Sequence, residues 1–330
     1  MLPQQVLLEE IKGKLNEHQN LVSVLMEALH LSQSQAYRRV NGKVNLSFEE
    51  ACMLINKFDV STSKFLAAPK EEKMVHFNAS LRINTSYLEF LRELQSNIEQ
   101  VAQLPDVNIQ YATNEFPIFY TFLYPNLIKF KIYMWNTTFW KNKQQRSRFV
   151  LGHIDPEEVT LSTSIKEAYL NLPTTEYWSI RLTDNTLNQI QYAAESGLFE
   201  NIEDAIQLCD ELNQAVQEVA GMAQKGRKEL SNDVTNSKSG AFQLYLSELP
   251  TNIHFLVSHQ YGQRLYTTFD NPNFLFTEDE TVCKYILNWL ENLKNKSIQI
   301  SETGDRARNQ FFHGLTKKIN SLSNDLKVEE

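Results

Sequence analysis

The sequence predicts a mostly α protein: an N-terminal bundle of short helices, a helical middle region and a small mixed α/β unit at the C-terminal end. Three observations carry this. Apolar residues recur at spacings of three and four along most of the chain, as they do on one face of a helix. Hydroxyl and amide residues followed three positions later by Gln, Glu or Asp mark successive helix starts. Strand-like alternation is confined to residues 106–112 and to short runs after residue 240.

The elements follow in order. A first helix is expected near Val6–Leu15. In "NLVSVLMEALH", Leu21, Leu25, Ala28 and Leu29 share one face, and Asn20 is placed to cap it. Ser32 with Gln35, and Ser47 with Glu50, have the capping-box spacing, in which each side chain satisfies an orphan N–H at a helix start. Leu31 and Leu46 precede these caps and can staple onto Ala36 and Ala51. Two helices therefore begin at about Ser32 and Ser47, with Asn41-Gly42-Lys43 as the breaker between them. His30 occupies a turn that usually wants Gly, and His tolerates a left-handed backbone better than most residues. "DVSTSKFLA" starts a fifth short helix at Ser61.

Further on, Tyr87, Leu91, Leu94, Ile98 and Val101 alternate at four and three, a seam about two heptads long that suits either intrachain packing or a dimer. Residues 111–140 hold eleven of the 36 aromatic residues, and Pro125–Trp140 is apolar nearly all round, so a buried helix is expected there. Such an aromatic cluster is either core or the lining of a ligand pocket. Helices are expected through "DPEEVTLSTSIKEAYLNL", "LTDNTLNQIQYAAESG" and residues 201–224. In the last, Cys209 falls on the apolar stripe, and Lys225, Arg227 and Lys228 suit the C-terminal dipole. After the Ser/Asn-rich stretch 231–240 come the runs "AFQLYLS", "NIHFLVSH", "RLYTTF" and "SIQIS" with two more helices. Near the last of these, Arg306 and Arg308 beside a helix start could attract an anion, but Glu302 and Asp305 oppose it, and capping is the expected role.

Composition sets bounds. Hydrophobic residues make up 42% and charged residues 22%, which is near globular norms. Three cysteines with no pairing motif argue against a disulfide framework or a zinc site and for a reducing compartment. No basic n-region precedes an apolar core, and no apolar run reaches the length of a membrane span, so a cytoplasmic protein is expected. The net charge is −8, yet residues 1–68 balance seven acidic against seven basic side chains, which leaves room for a local basic face. The seven histidines form no metal-ligand pattern, and no phosphate-binding glycine loop or nucleophile elbow occurs, so neither cofactor nor metal is expected.

The run Leu21–Leu66 resembles the helix-turn-helix of XRE-type, lambda-repressor-like regulators. The shared features are the Leu31-Ser32 entry, the Asn41-Gly42-Lys43 exit and "SFEEACMLINKFDVSTSKFL". The stretches "NEFPIFYTFLYPNLIKFKIYMW", "AAESGLFENIEDAIQLCDELNQ" and "KSIQISETGDRARNQFFHGLTKKI" resemble the large C-terminal regions of uncharacterised bacterial proteins that carry this module. The resemblance implies a five-helix DNA-binding domain over residues 1–68. Residues 69–110 then form a linker helix with the possible dimer seam, 111–235 an aromatic-rich helical region, and 236–330 the α/β unit.

On the helix from Ser32, Ala36 and Val40 face the core, which points Gln33, Ser34, Tyr37 and Arg38 outward. Gln can read adenine and Arg guanine, each bidentately, while Tyr37 can reach a phosphate or a thymine methyl. Arg39, Lys43 and the Asn41–Gly42 backbone suit phosphate contacts, which position a protein without specifying sequence. The resemblance implies the same division: Gln33, Ser34, Tyr37 and Arg38 at base-facing positions, Asn41, Gly42 and Lys43 in the backbone-contacting loop. Arg39 stands where the family is often apolar. The expected function is a sequence-specific transcriptional regulator on double-stranded DNA, acting as a homodimer, with a small-molecule or protein effector at residues 111–330. Two alternatives stay open: an interaction or scaffold protein whose module no longer binds DNA, and a cytosolic enzyme with an appended helix-turn-helix.

Overall fold

The computed structural model describes residues 3–15, 19–58, 60, 77–80, 86–138, 148–152, 155–231, 238–248, 252–270 and 273–328. The chain divides into two compact units, Met1–His76 and Phe77–Glu330.

The first unit contains α1 (Pro3–Gly13), α2 (Leu21–Leu29), α3 (Gln33–Val40) and α4 (Phe48–Phe58). Each helix is too short to persist alone in water, so packing must hold it. Leu7, Leu8 and Ile11 of α1, Leu25, Ala28 and Leu29 of α2, Ala36 of α3 and Leu54 of α4 supply that packing as one buried cluster. Asn20 caps α2 by accepting from the Val22 N–H at 2.9 Å. The fifth helix expected from Ser61 lies outside the described residues.

The second unit corrects the mostly-α expectation. Its centre is an eight-stranded mixed sheet in the order β1-β7-β6-β5-β2-β3-β4-β8. The strands are β1 (Asn78–Ser80), β2 (Asn108–Thr113), β3 (Thr174–Ser179), β4 (Phe242–Ser247), β5 (His254–His259), β6 (Gly262–Asp270), β7 (Asn273–Thr277) and β8 (Ile298–Gln299). β2, β3 and β4 run parallel, with Tyr111 opposite Glu176 and Glu176 opposite Leu244. The antiparallel strands β5, β6, β7 and β1 extend one side, and β8 pairs antiparallel with β4 on the other.

Parallel neighbours require crossovers, and helices provide them. Between β2 and β3 come α6 (Ile118–Thr121), α7 (Pro125–Thr138) and α8 (Pro156–Asn171); between β3 and β4 come α9 (Asp184–Glu195) and α10 (Ile202–Lys225). Together with α5 (Tyr87–Ala102) and α12 (Asp305–Val328), they cover one face of the sheet in a single large apolar cluster. On the opposite face, α11 (Glu280–Asn295) packs Cys283, Ile286, Leu290 and Leu293 against Ala112, Tyr177, Tyr245, Leu256 and Leu265. Strand parity is kept throughout: Thr174, Glu176 and Trp178 lie on one side of β3, Tyr177 on the other.

The correction has a specific cause. "TTEYWS" becomes β3 in the middle of the sheet and is buried along nearly its whole length, so it shows neither helical nor alternating periodicity. Segments that look separate in sequence are thereby joined in one layer. The Tyr87–Val101 seam also finds its partner inside the unit: α5 packs on α8, and Leu91 and Ile98 are buried in the main core. No described helix is long and apolar enough to cross a membrane.

Candidate nucleic-acid interface

α2 and α3 are joined by a short turn at His30 and Leu31. His30 adopts the left-handed conformation (φ 52°, ψ 43°), and its N–H donates to the Met26 carbonyl. Ser32 then opens α3 with a complete capping box: the Gln35 N–H donates to the Ser32 hydroxyl, and the Ser32 N–H donates to the Gln35 side chain at 2.9 Å. Ser47 and Glu50 repeat the device at α4, with N–H to side-chain distances of 2.9 and 3.1 Å.

Glu50 has a second task. Arg39 donates to both of its carboxylate oxygens, Nε to Oε2 at 3.0 Å and Nη2 to Oε1 at 2.7 Å. Both side chains are mostly buried, and the bidentate geometry ties the end of α3 to the start of α4. The hydrogen bond from Arg39 holds the Glu50 carboxyl below its ordinary range. Gln4 of α1 fastens the same loop. Its amide donates to the Arg39 and Val44 carbonyls at 2.8 and 3.1 Å and accepts from the Leu46 N–H at 2.8 Å. Sequence reasoning missed Gln4 because no local pattern distinguishes a polar residue that stitches segments 40 positions apart.

With α3 pinned by Ala36 and these ties, Gln33, Ser34, Tyr37 and Arg38 all project into solvent, Tyr37 with 57% of its surface exposed. Positions 33, 34, 37 and 38 lie one turn apart on the same side of the helix. Arg38 and the exposed Lys43 make no ion pair among the described residues. Asn41, Gly42 and Lys43 are exposed as well, Gly42 with φ +67°. Their backbone donors are spoken for: the N–H groups of Asn41, Gly42 and Lys43 donate to the carbonyls of Tyr37, Arg39 and Arg38. Arg39, expected at a phosphate, is engaged by Glu50. Only side chains of this loop are left to reach an anion, Lys43 first.

The second unit holds a polar cluster that the sequence did not announce. Glu176 of β3 is fully buried and accepts four hydrogen bonds, from Tyr120 (2.8 Å), Tyr169 (2.7 Å), Thr174 (3.0 Å) and Trp178 (2.9 Å). Lys228 is buried nearby. Its Nζ donates to the Tyr169 carbonyl at 3.0 Å and lies 3.6 Å from the centre of the Tyr169 ring. Burial pushes the Lys228 ammonium down to about 7, against the pull of Glu176. Every oxygen of Glu176 is satisfied, so the cluster acts as a polar bolt between sheet and helices. The sequence groups Lys228 with Lys225 and Arg227 at a helix dipole; its burial against Tyr169, 59 positions away, leaves no local signal.

The loop before α12 is also structural. Arg308 is buried, donates to the Ile300 carbonyl at 3.1 Å and pairs with Asp305, while the Glu302 N–H donates to the Ala223 carbonyl at the end of α10. Cys209 is buried in the core, and burial pushes its thiol up to about 12. No group of His, Cys, Asp and Glu suited to a metal ion occurs among the described residues. Neither a family model, nor a curated protein, nor a solved structure matches the chain.

Proposed function

We propose that the chain is a sequence-specific DNA-binding transcriptional regulator of the cytoplasm in which α3 enters the major groove. One observation carries the reading. Gln33, Ser34, Tyr37 and Arg38 are exposed together on one face of a short helix whose other face is sunk in a core and whose two ends are tied down. A rigid helix with outward Gln and Arg is what base-edge recognition needs, since each pairs with adenine or guanine only in a fixed orientation. Lys43 supplies the phosphate contact, and Arg39 orients the helix through Glu50. The second unit serves regulation, as the receiver of a small-molecule or protein effector. Pairs of such modules bind half-sites about one helical turn apart, which is the arrangement expected on an operator.

Selection of the intact protein on randomised duplexes tests this. An enriched motif is expected, and Arg38→Ala should lose about 1–3 kcal/mol on that motif and relax one base position. Failure to enrich any sequence, or an Arg38→Ala protein that binds motif and random duplex as the parent does, rejects the reading.

A further inference from the structure

The helical face of the sheet contains a cavity of about 180 Å³. Protein interiors pack as densely as organic crystals and leave few voids larger than a water molecule, so a space of this size marks a place for a guest. Three ring pairs border it, each set edge to face. Phe90 lies 5.6 Å from Trp135 between ring centres, Tyr111 5.3 Å from Phe255 and Tyr266 5.7 Å from Phe274. Leu94 and Ile98 of α5 add an aliphatic wall.

Polar groups are few around this space. Among the described residues, Lys131 and Glu115 are the only charged ones in the lining, and they face each other at 3.3 Å, so the wall carries no net charge. The Thr267 hydroxyl donates to the Ile253 carbonyl at 3.2 Å. Asn97 is half-buried and Thr268 exposed, which places these two polar side chains at a mouth. A charged guest would give up its hydration without meeting a net countercharge, at a cost that apolar contact does not repay. A hydrocarbon surface leaves nothing unpaired. Size narrows the guest further: a dry, apolar-lined cavity of about 150 Å³ takes up benzene. Walls already arranged edge to face favour an aromatic ring over a saturated one of the same size.

We propose that this cavity binds an uncharged one-ring aromatic molecule whose buried part is hydrocarbon. The site gives a chemical class to the effector assigned above to the second unit, and rests on that reading only for its regulatory consequence. Uptake is measured on the intact, DNA-free chain, so its failure and the failure of the DNA-binding reading are separate results. The probes are toluene, methylcyclohexane and benzoate, with thermal unfolding as readout. Toluene should raise the melting temperature saturably at millimolar concentration. Methylcyclohexane should bind about three- to tenfold more weakly, the share that edge-to-face contacts contribute. Benzoate should produce no shift. Cross-relaxation from toluene to the labelled methyl groups of Leu94 and Ile98 should locate the guest in the unaltered protein. Leu94→Trp, at the half-buried rim, should fill the space and abolish the toluene shift. Absence of both shift and cross-relaxation overturns the proposal whatever the variant does. So does methylcyclohexane or benzoate binding as tightly as toluene, or a natively folded Leu94→Trp protein that binds toluene like the parent.

Discussion

The Arg39–Glu50 pair shows how one contact converts two ordinary surface residues into architecture. Glu50 caps α4, and because Arg39 grips both of its oxygens, the same carboxylate also fixes the end of α3. A double-mutant cycle with Arg39→Met and Glu50→Gln should give a coupling of about 1 kcal/mol, at the upper end for surface pairs because the geometry is bidentate and mostly buried. The sign with pH follows from the lowered Glu50 carboxyl. The pair's contribution is complete above the ordinary carboxylate range and fades as pH falls through the lower folded value. Urea unfolding between pH 3 and 6 should therefore show a steeper acid loss for the parent than for Glu50→Gln. Arg39, expected at a phosphate, is held in the structure by a carboxylate 2.7 Å away.

At the scale of the element, α3 is defined by its ends. Ser32→Ala removes the hydroxyl that accepts the Gln35 N–H and should cost about 1 kcal/mol, as loss of an N-cap does. His30 tests the turn itself. His30→Gly relieves a left-handed residue and should be neutral or stabilising by less than about 1 kcal/mol. His30→Val places a β-branched side chain at φ 52° and should destabilise by more than about 1 kcal/mol. Chemical denaturation of the three variants checks both directions, and equal effects of Gly and Val would remove the conformational explanation. These features were visible in the sequence because caps and turns depend on residues a few positions apart. The Gln4 stitch was not, because its partners Arg39, Val44 and Leu46 lie across the fold.

For the whole molecule, the buried cluster around Glu176 sets the alkaline behaviour. Lys228 loses its proton near 7 when folded and near 10.5 in the unfolded chain. Between those values the unfolded chain binds a proton that the folded one lacks, so stability should rise with pH from about 7. Tyr120 and Tyr169 act oppositely. Burial holds both hydroxyls protonated well above 10 in the folded state, so their contribution is present at neutral pH and declines above it as the unfolded chain ionises. The urea midpoint should climb from pH 7 to 9 and fall above about 10, and Lys228→Met should flatten the climb. A parent profile that is flat or falling from pH 7 to 9 would show that Lys228 stays charged in the core. DNA binding should carry its own whole-molecule signature. With a net charge of −8, only local cations favour the duplex, so Lys43→Ala should weaken all sequences alike and make the salt slope shallower by about one unit.

The features legible in the sequence were local: the capped starts of α3 and α4, the left-handed turn at His30, the buried character of α7, and the outward set on α3. Each depends on neighbours within about one or two turns, where side-chain spacing dictates which groups can meet. The sheet, and everything built on it, rests on long-range pairing. β3 is a central parallel strand with Glu176 in its middle, and a strand covered on both faces carries no alternation to distinguish it from a loop between helices. The Leu91–Ile98 seam likewise suits an outside partner or an inside one equally well by spacing alone, and α8 occupies it. Tertiary contacts fixed the partners of Arg39 and Lys131, Glu50 and Glu115, and set Lys228 against the Tyr169 carbonyl, because an ion's role depends on which groups the fold brings within reach and how much water it leaves between them.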